Sequence, residues 1–253
     1  MKDTYITINN QTIFTRFYKD FDSTLPTIVF LHEALGSVAQ WRDFPKLVAE
    51  KTPLNVFAFD RLGHGLSDPM LKKRDAHYLL HEAWEVAPSV LAHYGIENPI
   101  LFGHSDGGSI ALLYASRFPT TAIITEAAHV FVETITLKGI EEALIRKDFL
   151  IDRLGRYHGD KTENLFFAWA DTWLQESFET WNIEAFLKDI TCKSLIIQGE
   201  NDEYGTVEQV ERIVKGIGKN VEKFMIPNCG HTPHRDNEMI VLDKISKMLI
   251  GFK

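Results

Sequence analysis

Short runs of β-branched and aromatic residues alternate along this chain with longer segments in helical spacing. The first two runs, Tyr5–Ile8 and Thr12–Phe17, are parted by three polar residues and predict a hairpin. Six further runs follow at Thr27–Leu31, Leu54–Phe59, Ile100–Phe102, Ala122–Thr125, Ser194–Gln198 and Val221–Ile226. Several are almost wholly apolar, which is typical of parallel strands buried on both faces.

Helical segments separate these strands. They are Val38–Glu50, His77–Tyr94, Gly108–Arg117, Val207–Val214 and Glu238–Ile250. Strands and helices in alternation form right-handed crossovers, so we predict an α/β fold with a mostly parallel eight-stranded sheet flanked by helices. Ligands of such sheets bind beyond the carboxyl ends of the strands, and the residues that follow each strand are the candidates for chemistry.

Residues 133–189 interrupt the alternation, because they contain helical spacing, many aromatic rings and no convincing strand. We predict a helical cap subdomain here, inserted into a core domain formed by residues 1–132 and 190–253. Most of the rings are expected to form the core of this subdomain. A few, with Trp169 and Trp173 as the candidates, are expected to line a substrate pocket beneath it.

Charge and composition exclude several classes of protein. A net charge of −8 argues against a nucleic-acid partner, which needs clustered Lys and Arg. The one basic run, Lys72-Lys73-Arg74, is interpreted as a solvated loop. Cys192 and Cys229 lack metal-binding spacing and are expected to be free thiols. Without a signal-peptide pattern or a run of roughly 18 apolar residues, the expectation is a cytoplasmic protein without a membrane partner, as monomer or homodimer.

The segment Gly103-His104-Ser105-Asp106-Gly107 carries the candidate nucleophile. It lies between a predicted strand and a predicted helix, which is the setting that a nucleophile elbow requires. Its flanking glycines permit close approach of neighbouring backbone, and the helix N-terminus offers free N–H groups to an oxyanion. We therefore predict that Ser105 is a catalytic nucleophile.

A serine hydroxyl needs a base and a carboxylate behind that base. His231 follows the last predicted strand and is the preferred base, with His234 as the competitor; His104 is expected to give packing or polar support. Three acids follow the strand Ser194–Gln198, namely Glu200, Asp202 and Glu203. Asp202 is preferred and Glu203 is next. The order serine, acid, histidine is the one expected for this fold.

The tetrahedral oxyanion of such a reaction needs two donors. One is expected to be the backbone N–H of Asp106, which follows the nucleophile. The second is expected in the loop His32-Glu33-Ala34-Leu35-Gly36-Ser37, at Ala34, with Glu33 as the alternative.

Together these segments resemble the α/β-hydrolase superfamily with a helical cap. The resemblance rests on GHSDG, LHEALGS, FDRLGHGLSD, IIQGENDEYGT and PNCGHTPHRD, which occur in the right order over nearly the whole chain. It implies the same triad, Ser105, Asp202 and His231. It also implies that the turn from Asp60 to Ser67 is structural.

Two residues depart from the family pattern. Glu33 stands where glycine is common, and Asp106 follows the nucleophile where a small or apolar residue is usual. Glu33 is expected to point away, to pair with a base such as Arg42, or to bind the substrate, with His32 as a further candidate for substrate binding. Two acids at this place would disfavour an anionic acyl group, or one of them would keep its proton.

These observations predict a serine hydrolase that cleaves a small carboxylic ester through an acyl-enzyme, with no metal or organic cofactor. A serine elbow disfavours the haloalkane dehalogenases and epoxide hydrolases, which use an aspartate. Thioesterase, lactonase, amidase and carbon–carbon bond hydrolase chemistry stay open on the same triad. A non-catalytic ligand receptor is the alternative from another class.

Overall fold

The computed structural model describes residues 1–252, and its strands form one sheet. The strands are β1 (Lys2–Ile8), β2 (Gln11–Phe17), β3 (Thr27–Leu31), β4 (Asn55–Phe59), β5 (Ile100–His104), β6 (Ala122–Glu126), β7 (Lys193–Gly199) and β8 (Val221–Ile226). Their spatial order is β1-β2-β4-β3-β5-β6-β7-β8. β1, β2 and β4 pair antiparallel in turn, and β3 to β8 pair parallel. The predicted fold is confirmed.

The helices occupy the predicted connections. They are α1 (Phe44–Lys51), α2 (Tyr78–His81), α3 (Ala87–His93), α4 (Asp106–Ala115), α5 (Thr134–Ile145), α6 (Lys147–His158), α7 (Thr162–Leu174), α8 (Glu184–Leu187), α9 (Val207–Ile217), α10 (Pro233–Asp236) and α11 (Glu238–Leu249). Two short 3₁₀ turns and a π-helical turn lie among them, and another 3₁₀ turn precedes α1.

Two of the predicted helices are interrupted. A single helix over Val38–Glu50 is wrong, because Arg42 adopts a left-handed φ of 54° between a 3₁₀ turn and α1. In the segment His77–Tyr94, a π-helical turn at Glu82–Val86 joins α2 to α3. Pro88 lies just after this wide turn and has no N–H to donate to the carbonyl four residues earlier, so the regular helical ladder cannot run through it.

The central strands β3 to β7 are buried on both faces, and β3 is the example. Val29 and Leu31 face one core, which contains residues of α3 and α4, while Ile28 and Phe30 face another, with residues of α1 and α11. Successive side chains of a strand point to opposite faces, so both sets must be apolar. This two-sided burial explains why the strands read as almost continuous apolar runs.

The helices α5 to α8 lie between β6 and β7, in the segment predicted as a cap. Phe166 and Phe178 are fully buried, and Phe178 stacks on Trp181 at 5.3 Å between ring centroids. Phe149 is 51% exposed, so the rings do not all serve the core. The division of the chain into domains at residues 133 and 189 stays a prediction. In the described part of the chain, no helix combines the length and the apolar character needed to cross a membrane.

We expect Phe30→Ala to lower the free energy of unfolding by about 3–5 kcal/mol, because it empties a site in the aromatic core. The Phe30 ring is fully buried and packs against Trp41, Phe44 and Phe102. Urea denaturation measures the loss. The matched control is Phe149→Ala, whose ring is half exposed; an equal loss in both variants would contradict the packing described here.

Candidate active site

Ser105 lies at a sharp turn between the end of β5 and the start of α4. Its backbone has φ 53° and ψ −117°, a conformation that a residue with a side chain adopts only at a cost of about 1–3 kcal/mol. The helix begins directly after it at Asp106, two residues earlier than the sequence predicted. This geometry presents the serine side chain beyond the carboxyl edge of the sheet.

The two glycines of this segment are required by space. A Cβ at Gly103 would lie 2.1 Å from the carbonyl oxygen of Gly107. A Cβ at Gly107 would lie 1.9 Å from the carbonyl oxygen of Leu31, at the end of β3. The turn can therefore form only where these two positions lack side chains.

The loops after β5, β7 and β8 bring three predicted residues together. The Oγ of Ser105 lies 3.0 Å from Nε2 of His231, and Nδ1 of His231 lies 2.8 Å from Oδ1 of Asp202. The same Asp202 oxygen accepts the N–H groups of Tyr204 and Gly205, at 2.9 and 3.3 Å. Asp202 is thus held in place by its own loop while it contacts the imidazole.

The pKa values of Asp202 and His231 are shifted in opposite directions. Burial acts to raise the pKa of Asp202, but the nearby imidazole and the hydrogen bonds outweigh it, so the pKa is lowered. Burial acts to lower the pKa of His231, but the Asp202 carboxylate outweighs it, so the pKa is raised. The carboxylate therefore stays ionised and stabilises a protonated ring.

The competing residues of the sequence have other partners. Nδ1 of His234 lies 2.7 Å from Oε2 of the fully buried Glu126, away from the serine. His104 donates from Nε2 to the carbonyl of His231 at 2.8 Å, which is polar support for the loop. Glu203 accepts the N–H of His231 at 3.1 Å. His104 and Glu203 therefore both help to position the backbone of His231.

The loop after β3 is held in place by the side chains of His32 and Arg61. Nδ1 of His32 and Nη2 of Arg61 both donate to the carbonyl of Glu33, at 2.8 and 2.7 Å. The other nitrogen of His32 accepts the N–H of Arg61, so this ring supports the loop. In a trans peptide the C=O and the next N–H point in opposite directions, which turns the N–H of Ala34 away from Arg61.

No acceptor among the described residues takes the N–H of Ala34 or that of Asp106. Both residues line the cavity that contains Ser105 and His231. The two groups predicted as oxyanion donors are therefore unoccupied donors beside the serine, as that role requires.

The carboxylate of Asp106 is buried and has partners of its own. Tyr78 donates its hydroxyl hydrogen to Oδ2 at 2.9 Å, and Nη1 of Arg61 lies 3.7 Å from the same oxygen. Trp173 in turn donates its indole N–H to the Tyr78 oxygen at 3.0 Å. This chain links α7 of the helical insertion to the residue that follows the serine.

The cavity above Ser105 has a volume of about 90 Å³. Beyond Ser105, Asp106, Ala34 and His231 it is lined by Glu33, Leu35, His129, Thr136, Ile140, Trp169, Trp173 and Tyr204. The two tryptophans expected at the substrate pocket therefore face it, as does Glu33. A larger cavity of about 540 Å³ is lined by Tyr78 and neighbouring surface residues, but neither Ser105 nor His231 lines it.

No local pattern in the sequence marks Tyr78, Arg61 or His129 as residues of this site. Each reaches it through contacts between segments far apart in the chain, and His129 is fixed by a hydrogen bond from Nε2 to the carbonyl of Tyr204 at 3.1 Å. Arg61 lies within the FDRLGHGLSD segment, which the resemblance marked as structural.

The fold and the geometry define a hydrolase of the α/β class. Residues 28–241 match the sequence model of the alpha/beta hydrolase family. The chain therefore belongs to the alpha/beta hydrolase family.

Known proteins resemble the chain at a distance. It is 25% identical to the sn-1-specific diacylglycerol lipase ABHD11 of Mus musculus, over 91% of this chain and 83% of the relative. It is 25% identical to the bifunctional esterase/perhydrolase DCH of Acinetobacter calcoaceticus, over 60% of this chain and 50% of the relative. The crystal structure of MGS-M2, an alpha/beta hydrolase enzyme from a deep-sea metagenome library, superposes with a TM-score of 0.77 at 18% identity, covering 98% of this chain and 96% of that one.

We expect Gly107→Ala to destabilise the protein by about 1–3 kcal/mol or more, because the new methyl group would collide with the backbone of β3. Gly155→Ala in α6 is the matched control, since its Cβ would meet nothing within 4 Å. Alanine there should stabilise the helix by about 0.5–1 kcal/mol. Thermal or urea unfolding measures both, and a neutral Gly107→Ala would contradict the close approach.

Buried histidines should make the fold sensitive to acid. Burial lowers the pKa of six of them, His32, His64, His104, His129, His158 and His234, with His104 at about 4 and His234 at about 3. The unfolded chain takes up protons near pH 6.5 while these folded rings stay neutral. Stability should therefore fall as the pH drops below about 6.5, by up to about 1.4 kcal/mol per pH unit for each ring. His234 is the exception, because burial raises the pKa of its partner Glu126 to about 8 and the proton held there offsets the one that the unfolded His234 takes up.

Urea unfolding at pH 5, 6, 7 and 8 measures this slope. His104→Gln should make the dependence of the unfolding free energy on pH shallower below pH 6.5, by the equivalent of about one bound proton. His77→Gln, which replaces an exposed ring, should leave this dependence unchanged. Equal slopes in wild type and His104→Gln would show that His104 does not contribute.

Proposed function

We propose that this protein is a serine hydrolase that cleaves small carboxylic esters through an acyl-enzyme. The observation that carries the proposal is the line of contacts from Ser105 through His231 to Asp202, beside two free N–H groups. Two relatives, a diacylglycerol lipase and an esterase/perhydrolase, have names that support ester chemistry. The small cavity supports a small acyl group.

In the proposed reaction, Nε2 of His231 takes the proton of the Ser105 hydroxyl as Oγ attacks the ester carbonyl carbon. The carbonyl π electrons move to the oxygen, and the N–H groups of Ala34 and Asp106 stabilise the resulting oxyanion. When the tetrahedral intermediate collapses, the ester C–O bond breaks and His231 gives its proton to the departing alkoxide. An acyl group then remains on Ser105.

A water molecule completes the cycle. His231 takes one of its protons while the oxygen attacks the acyl carbon, and the second tetrahedral intermediate releases the acid as Ser105 regains its proton. Asp202 keeps its negative charge throughout, since its pKa is lowered, and it stabilises each imidazolium that forms.

The Asp106 carboxylate is compatible with an oxyanion at its own backbone N–H. Tyr78 donates a hydrogen bond to it and Arg61 balances its charge, so its field at the cavity is reduced. This pairing supports a structural role for the Asp106 side chain and a catalytic role for its backbone.

Ser105→Ala should lower kcat/KM for esters by about 10⁴-fold or more. It should also abolish labelling by a fluorophosphonate probe, which reacts with activated serines. Labelling that persists in Ser105→Ala would exclude this serine as the nucleophile. An unlabelled but folded wild type would instead favour a ligand receptor.

The activity should fall as the pH drops through the pKa of His231, which is raised above its usual 6.5. The ring must be neutral to accept the serine proton, so kcat/KM declines on the acidic side. Asp202→Asn should move this limb to lower pH and reduce kcat by about 10⁴-fold. A limb that stays in place in Asp202→Asn would assign it to another group.

Substrate panels separate the chemistries that share this triad. The panel comprises p-nitrophenyl esters of rising chain length, a thioester, a lactone and a vinylogous 1,5-diketone. We expect the shortest esters to have the highest kcat/KM, because the cavity is small. A preference for the diketone would assign carbon–carbon bond hydrolysis instead.

A further inference from the structure

Glu33 is the acidic residue of the oxyanion loop, and its side chain borders two cavities. It lines the catalytic cavity and also a small neighbouring cavity with His104, His234 and Arg235. A Cβ at Gly36 would lie 2.6 Å from Cγ of Glu33, so glycine at that position makes room for this side chain.

The other carboxylates of the site all have partners. Asp106 accepts from Tyr78, Asp202 pairs with His231, and Glu203 accepts the N–H of His231. For Glu33, no hydrogen-bond donor contacts the carboxylate and no cationic side chain, Arg42 included, lies within 4.0 Å of it in the described chain. Of the expected alternatives for this residue, pairing with Arg42 is therefore not observed.

The catalytic cavity has no Lys or Arg in its described lining to balance this charge. The same lining contains two acidic residues. Three of its walls are the rings of Trp169, Trp173 and Tyr204, whose faces attract cations. A half-buried carboxylate is most stable when a bound group supplies a donor or a positive charge.

We propose that Glu33 is a specificity-determining residue that binds a protonated amine of the substrate. The preferred substrates are then small esters that carry a primary ammonium group, and anionic analogues are rejected by the same carboxylate. This inference rests on the proposed ester hydrolysis and names its substrate class.

Two esters of the same shape test it. Methyl 3-aminopropanoate and methyl butanoate differ by an ammonium group in place of a methyl group. We expect wild type to prefer the ammonium ester by about tenfold or more in kcat/KM, the effect of one charge-assisted hydrogen bond. Glu33→Gln should bring the ratio of the two kcat/KM values close to one.

The ratio distinguishes specificity from support of the base. Glu33 also acts to raise the pKa of His231, so Glu33→Gln can change the hydrolysis of both esters and shift their pH profiles together. Such a common change leaves the ratio untouched. A ratio that stays the same in wild type and Glu33→Gln would overturn the proposal.

Two further variants act as controls. Glu97→Gln removes an exposed carboxylate that precedes β5, at the opposite end of the sheet, and should keep the wild-type ratio. Glu33→Asp keeps the charge on a shorter stem and should keep part of the preference. If Glu33→Gln fails to fold, kcat/KM of Glu33→Asp is measured for the ammonium ester, the neutral ester and the anionic methyl succinate. The shorter stem moves the carboxylate away from the bound group, so the preference for the ammonium ester and the rejection of methyl succinate should both weaken. Three kcat/KM values in the wild-type proportions would contradict the assignment.

Binding without turnover separates this proposal from the proposed function. In Ser105→Ala, calorimetric titration should show butylammonium binding about tenfold or more tightly than 1-pentanol. The double variant Ser105→Ala with Glu33→Gln should lose that difference. If wild type hydrolyses neither ester but this difference is present, the proposed function fails and the ammonium site stands; equal binding of both probes overturns the site.

Discussion

Helix α4 approaches the ends of β3 and β5 so closely that no side chain fits between them. Gly103 and Gly107 allow this approach, and the backbone of Ser105 takes up the strain. The position of the serine, the free N–H of Asp106 and the short reach to His231 all follow from that contact. Apolar packing also holds α4 against the sheet, because its residues share a core with Val29 and Leu31 of β3.

A second layer of polar contacts fixes the loops around this turn. Asp60 accepts the N–H groups of Val38 and Leu66 at 2.6 and 2.8 Å, and thereby joins the segments after β3 and β4. Arg61, next in the chain, binds the carbonyl of Glu33 and lies beside Asp106. Buried charges of this kind are costly unless each has partners, so they hold the loops in one arrangement.

The sequence predicted what depends on local pattern. The central strands could be located because buried parallel strands are apolar on both faces, and the antiparallel β1 and β2 because three polar residues part their two runs. The serine could be ranked because glycines flank it between a strand and a helix. The breaks at Arg42 and before Pro88 were missed, because hydrophobic spacing does not report a left-handed residue or a π-helical turn. Tyr78 was missed for a different reason. Its hydroxyl meets Asp106 only through tertiary packing, and no spacing in the chain encodes that contact.

His158, at the end of α6, joins the helical insertion to the loop after β3. This ring accepts the N–H of Gly65 at Nδ1 and donates from Nε2 to the carbonyl of Leu35, next to Ala34. Only one tautomer of a neutral imidazole can do both. Any outward swing of α6 must therefore break the hydrogen bonds of His158 to Gly65 and to the Leu35 carbonyl. The position of α6 and the shape of the donor loop are coupled through this one ring.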